Sequence, residues 1–136
     1  MKSWGDKTLT WLARLMVGLV LLINMQCAVL FILQPEVYSP GFELTGAAGA
    51  AAVRGIGLLF LMWNVPYVVA VYHPKAYRIS LFEAIVMQTI GLVGESLILW
   101  SLPAIHETAR GTITRFIVFD AVGLFLLCLA AWITRK

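Results

Sequence analysis

Four apolar runs, each long enough to cross a bilayer, follow one another with only short polar connections between them. They lie near 15–33, 47–72, 81–102 and 113–133. A hydrocarbon core of ~30 Å needs about 20 consecutive apolar residues in a helix, and each run meets that length. A chain that spends most of its length this way cannot also cover a water-soluble globule. Hydrophobic residues make up 61% and charged residues 12% of the 136 residues, against roughly a quarter charged in a soluble domain. In lipid every backbone N–H and C=O needs an internal partner, so spanning runs of this length fold as helices. The reading is therefore all-α: an integral membrane four-helix bundle of up-down topology, one transmembrane domain over 1–136.

Basic residues orient the bundle. Lys2, Lys7 and Arg14 precede or open the first run, Lys75 and Arg78 sit in the second connection, and Arg135 and Lys136 follow the fourth run. The first connection, "QPEVYSPGFELTG", holds Glu36 and Glu43 and no base, and the third has Arg110 beside Glu107. The excess of positive charge on one side predicts that both termini are cytoplasmic and that the protein is multi-pass in the inner membrane. Trp4, Trp11, Tyr72, Tyr77 and Trp132 are expected at that interface, Tyr38 and Trp100 at the other. The first run is longer than a signal-peptide core and no small-x-small cleavage site follows it, which predicts a retained helix. The net charge of +3 comes from scattered single bases, a pattern that does not fit nucleic acid.

Local signals set the edges. Pro66 predicts a kink in the second span. Ser80 with Glu83 has the spacing of a capping box at the start of the third. The first connection is long for a helix–helix link and is expected to pack over the outer mouth of the bundle. Cys27 and Cys128 fall at depths differing by roughly 15–20 Å at 1.5 Å per residue, too far for a disulfide, and both read as small core residues. His73 and His106 belong to opposite interfaces, so no metal set forms, and nothing points to a cofactor.

Polar residues at membrane depth carry the functional signal, because a charge facing lipid costs on the order of 2.5–3.5 kcal/mol even on lenient scales. At 100° per residue Ala84, Gln88, Gly91 and Glu95 share one stripe, and Arg54, Gly57, Leu61 and Asn64 share another. An Arg54–Glu95 ion pair is the first expectation, with Asn64 and Gln88 approaching each other near mid-membrane. Asp120 joins from the fourth helix on a face with Thr112, Phe116, Gly123 and Leu127, and Asn24 and Gln26 from the first. Arg115 is expected to point away and reach the interface. One arginine facing two carboxylates leaves such a cluster formally −1. Gly91-x-x-Gly94 and Gly55-x-Gly57 read as close-packing signals, since no strand precedes them as a nucleotide motif requires.

An arginine opening the second helix in "VRGIGLLFL" and an acid in the third make the chain resemble the DoxX-like group of small four-helix bacterial membrane proteins. That resemblance implies an accessory subunit linked to redox or quinone chemistry, with no active site to carry over. No Ser-His, Cys-His or metal constellation accompanies the carboxylates, which argues against an enzyme. Two functions are expected. The first is a non-enzymatic accessory subunit that forms homo-oligomers or joins a larger membrane complex. The alternative is a binder or transporter of a small amphipathic molecule or proton through an outward-facing pocket. Its site would be the cluster Arg54, Glu95, Asp120, Gln88, Asn64 and Asn24, and the lipid bilayer is its surroundings in either case.

Overall fold

The computed structural model describes residues 4–135, with side chains from Asp6 onward. Lys2, Lys136 and the side chain of Trp4, all expected at the cytoplasmic interface, lie outside the described residues. The described chain is helical throughout, in the order α1 (Trp4–Leu33), α2 (Pro35–Tyr38), a 3-10 turn (Ser39–Phe42), α3 (Gly46–Trp63), α4 (Val65–Tyr72), α5 (Arg78–Ser101) and α6 (Glu107–Ile133). Four segments are long and apolar enough to cross a membrane: Asp6–Leu33, Gly46–Tyr72, Arg78–Ser101 and Glu107–Ile133. The chain is thus a multi-pass membrane protein built on a bundle. Its surface is correspondingly greasy, with Leu15 67%, Ile79 78% and Phe125 66% exposed.

The helices start earlier than the apolar runs. α1 begins at Trp4 and not near 15, α5 at Arg78 and not at Leu81, and α6 at Glu107 and not near Ile113. Hydropathy marks the hydrocarbon-embedded part, whereas backbone hydrogen bonding carries a helix on through its polar first turns. The same shift undoes the capping box. The N-cap of α5 is Tyr77 with no side-chain cap bond, so Ser80 and Glu83 already lie inside the helix.

The second span breaks in two. Pro66 sits in the first turn of α4 and has no N–H for the carbonyl four residues back. Asn64, at φ −82° and ψ −4°, forms the joint, and its Nδ2 donates to the Phe60 carbonyl at 2.6 Å. Each half then finds a different neighbour. α3 packs against α1, while α4 packs against α1 and α5, and α5 pairs closely with α6. Gly57 sets the α1–α3 approach: a Cβ there would stand 2.8 Å from the Ala28 carbonyl. Gly55 and Gly94, expected as close-packing residues, approach nothing within 4 Å of a Cβ position.

One half of the bundle is filled and the other is not. The filled half buries Ala13, Val17, Tyr67, Ala70, Ala84 and Leu127 among others, small or compact side chains that let helices come close in lipid. At its end Lys75 meets Asp6 at 2.9 Å, Arg14 donates to the Val71 carbonyl at 3.0 Å, and Arg78 donates to the Arg135 carbonyl at 3.3 Å. This is the basic end. Cys128, expected in the core, is exposed instead, while Cys27 is half-buried.

At the opposite end the first connection folds over the helices. Phe31, Tyr38, Phe42, Phe60 and Phe116 form a cluster with ring centroids 5.2–6.2 Å apart. Thr112 Oγ1 donates to the Gly41 carbonyl at 2.7 Å, and Arg110 caps the end of α5 through the Leu99 and Leu102 carbonyls at 2.8 and 2.5 Å. Glu43, in left-handed conformation at φ 58°, receives the Ala109 N–H at 3.2 Å and lies 2.6 Å from His106 Nδ1. A loop residue thereby caps the N-terminus of α6, where backbone donors and the helix dipole favour an anion.

These contacts hold the Glu43 carboxyl below its ordinary value of 4.5, chiefly through the hydrogen bond with His106 and next through the Ala109 amide. A depressed folded-state value contributes stability that is complete above the unfolded value and is lost as pH falls through the folded one. Thermal stability in detergent micelles, followed by circular dichroism, is therefore expected to fall as pH drops below 4.5. Glu43→Gln should be less stable at neutral pH and show a flatter acid limb; an unchanged acid limb would remove this cap from the account.

Candidate functional site

Separation of α3 from α5 leaves a cavity of about 470 Å³ in the half of the bundle nearer the loop-covered end. α1 supplies Asn24 and Cys27, α3 and the joint supply Phe60, Trp63 and Asn64, α5 supplies Gln88, Gly91 and Glu95, and α6 supplies Arg115, Phe116 and Asp120. Ile90 and Ile98 of α5 also line it and are 58% and 53% exposed, so the cavity communicates sideways with the outside of the bundle. Its walls are mostly apolar and its polar groups few, the usual make-up of a small-molecule site.

A hydrogen-bond chain forms the floor. Tyr67, fully buried, places its hydroxyl 2.5 Å from Gln88 Oε1 and 3.1 Å from the Ala84 carbonyl. With one proton, it donates to one of these at a time. Gln88 Nε2 in turn donates to Asp120 Oδ1 at 2.9 Å. The two bonds fix the amide orientation of Gln88, since only its nitrogen can face the carboxylate. Glycines on the facing helices make room. A Cβ on Gly91 would fall 2.5 Å from Asp120 Oδ2, and one on Gly123 would fall 2.7 Å from Gln88 Nε2. Each polar side chain thus packs against a glycine of the helix opposite.

Glu95 stands apart from this chain. It lies within electrostatic reach of Asp120 and of Cys27, and its Oε2 is buried without a hydrogen-bond partner. Asn64 Oδ1 is in the same condition. Among the described residues no cation comes within ion-pair distance of Glu95 or Asp120; the ion pairs present are Arg54–Glu36, Lys75–Asp6 and His106–Glu43.

Of the six residues expected to cluster, Glu95, Asp120, Gln88, Asn64 and Asn24 line this one cavity, and Arg54 does not. The expected Arg54–Glu95 ion pair is absent. Arg54 donates through Nε to the Ile32 carbonyl at 3.2 Å and lies 4.0 Å from Glu36. The reason is the packing of α3 on α1, which turns the Arg54 side toward the last turn of α1, where unpaired carbonyls attract a cation. Asn64 and Gln88 share the cavity but form no bond to each other: Gln88 is bonded to Tyr67 and Asp120, and Asn64 donates to the Phe60 carbonyl. Arg115 corrects in the other direction. Exposed as expected, it nevertheless lines this cavity and a second one of about 340 Å³ shared with Phe31, Tyr38 and Phe42. Gln26 faces outward.

Tyr67 was the missed member, and it had a signal: a phenol next to Pro66 at membrane depth needs a partner for its hydroxyl. Comparison with protein-family models, curated proteins and solved structures returns no match.

Tyr67→Phe removes the donor that Gln88 Oε1 uses and leaves that oxygen buried. The expected cost is about 1 kcal/mol of bundle stability, the usual worth of one such bond in water or lipid, read as a lowered unfolding midpoint in detergent–denaturant titration. No measurable loss would mean that Ala84 and Gln88 are satisfied without the hydroxyl.

Proposed function

We propose that this protein binds a small amphipathic molecule that enters sideways from the lipid into the gap between α3 and α5. In this reading it is an inner-membrane protein of four up-down spans, with its basic end and both termini in the cytoplasm and its cavity in the outer half. The observation that carries the reading is the cavity itself. It is small-molecule in size, apolar in its walls, laterally open past Ile90 and Ile98, and lined by polar groups of which two buried oxygens lack partners. A bundle held together by polar glue alone would close over such groups, because a buried acceptor left unpaired costs about 1–3 kcal/mol. The orientation rests on Lys75, Arg78 and Arg135 gathering at one end, as cytoplasmic bases do.

Photolabelling tests the binding reading. The full chain in nanodiscs is irradiated with a diazirine-bearing alkyl amphiphile, and adducts are mapped by mass spectrometry. Adducts should concentrate on peptides of α3 and α5 around the cavity and fall sharply in Ile98→Trp, whose indole blocks the mouth. Labelling spread evenly over the lipid-facing surface and indifferent to Ile98→Trp would defeat the proposal.

A second reading, that of a complex-forming subunit, is favoured by the exposed face of α3. Ala48, Ala51 and Ala52 are exposed and Gly55 has open space before it, a small-residue surface of the kind helices use to associate in membranes. In a background with Cys27→Ser and Cys128→Ser, Ala52→Cys should cross-link two copies in native membranes. Exclusively monomeric protein at every cross-linker length would count against self-association through this face.

A further inference from the structure

The kind of molecule that fits follows from which hydrogen-bonding atoms the cavity leaves over, an inference that rests on the lateral binding reading above. Asn64 is 1% exposed. Its amide nitrogen donates one of its two N–H bonds to the Phe60 carbonyl at 2.6 Å, while Oδ1 is buried with nothing to accept. Glu95 Oε2 is buried and likewise empty. Gln88 Nε2, which borders the cavity, gives one of its two N–H bonds to Asp120. Asn24 contributes both a donor and an acceptor, so it selects neither. Among the described residues, then, the buried side-chain polar atoms with no partner at all are both oxygens.

Charge points the same way. Glu95 and Asp120 both line the cavity, and the cationic side chain that shares its lining is Arg115, exposed at the rim and outside ion-pair distance of either. Two carboxylates facing apolar walls favour a cation between them, as attraction between charges is far stronger in a water-poor interior than in bulk solvent. From these acceptors and charges we infer that the occupant is an organic ammonium: a protonated amine carrying N–H donors on an apolar body. The ammonium sits between Glu95, Asp120 and the Asn64 carbonyl, and the apolar body lies against Phe60, Trp63 and Phe116 toward the opening. Its N–H groups meet the two orphaned oxygens, and its aromatic neighbours add cation–π attraction. A quaternary amine would supply the charge without the donors, and an alcohol one donor without the charge.

Equilibrium dialysis of the full chain in nanodiscs of zwitterionic lipid, with empty nanodiscs subtracted, separates these cases. The probes are pyrenylmethylammonium, its N-trimethyl analogue, pyrenemethanol and pyrenecarboxylate. The ammonium should bind about tenfold or more above the alcohol and the trimethyl analogue, the worth of a charge-assisted hydrogen bond. The carboxylate should bind least. Glu95→Gln and Asp120→Asn should each bring the ammonium down toward the alcohol, while Ile98→Trp should exclude all four. Equal retention of ammonium and alcohol, or of ammonium and carboxylate, overturns the inference but leaves the lateral cavity in place. Equal retention of ammonium and trimethyl analogue overturns the need for N–H donors. No retention of any probe overturns both this inference and the binding reading. The selectivity series uses the unmodified chain, so it decides even if a variant fails to fold.

Discussion

Pro66 has no N–H to offer the Met62 carbonyl, and the ring clashes with the turn before it, so the second span cannot run through as one helix. Asn64 becomes the joint, stitching its amide nitrogen to Phe60 while α4 sets off in a new direction. That single interruption decides what each half of the span touches. α4 keeps to α1 and α5 and completes the filled half of the bundle, whereas α3 follows α1. The gap left between α3 and α5 is the cavity.

The polar groups exposed by the gap are arranged around that geometry. Gly91 and Gly123 face each other's helix and seat Asp120 and Gln88 where a methyl group would collide. Tyr67, from the half-span beyond the joint, closes the chain from below. The glycines on these helix faces, four of which read from sequence as close-packing sites, thus divide into three kinds. Gly57 meets a backbone carbonyl, Gly91 and Gly123 meet polar side chains, and Gly55 and Gly94 meet nothing. Spacing cannot separate these, because all lie on helices at plausible contact positions. What separates them is which helix lies opposite.

The apolar length of four runs, the need to satisfy backbone groups inside lipid and the sign of the loop charges were properties of the chain itself. They determined the all-helical spans and the inward placement of Glu95, Asp120, Gln88, Asn64 and Asn24 around one cavity, since the cost of a charge against hydrocarbon does not depend on partners. Partner choice does. Arg54 turns to the end of α1 and Glu36 and away from Glu95, Arg115 reaches a cavity edge from outside the inward stripe, and Glu43 caps a helix 64 positions on, at Glu107, from a loop. Only the tertiary structure decided these, because an ion pair or a cap is fixed by the position of two elements at once, and periodicity within one helix carries no information about its neighbour's bend.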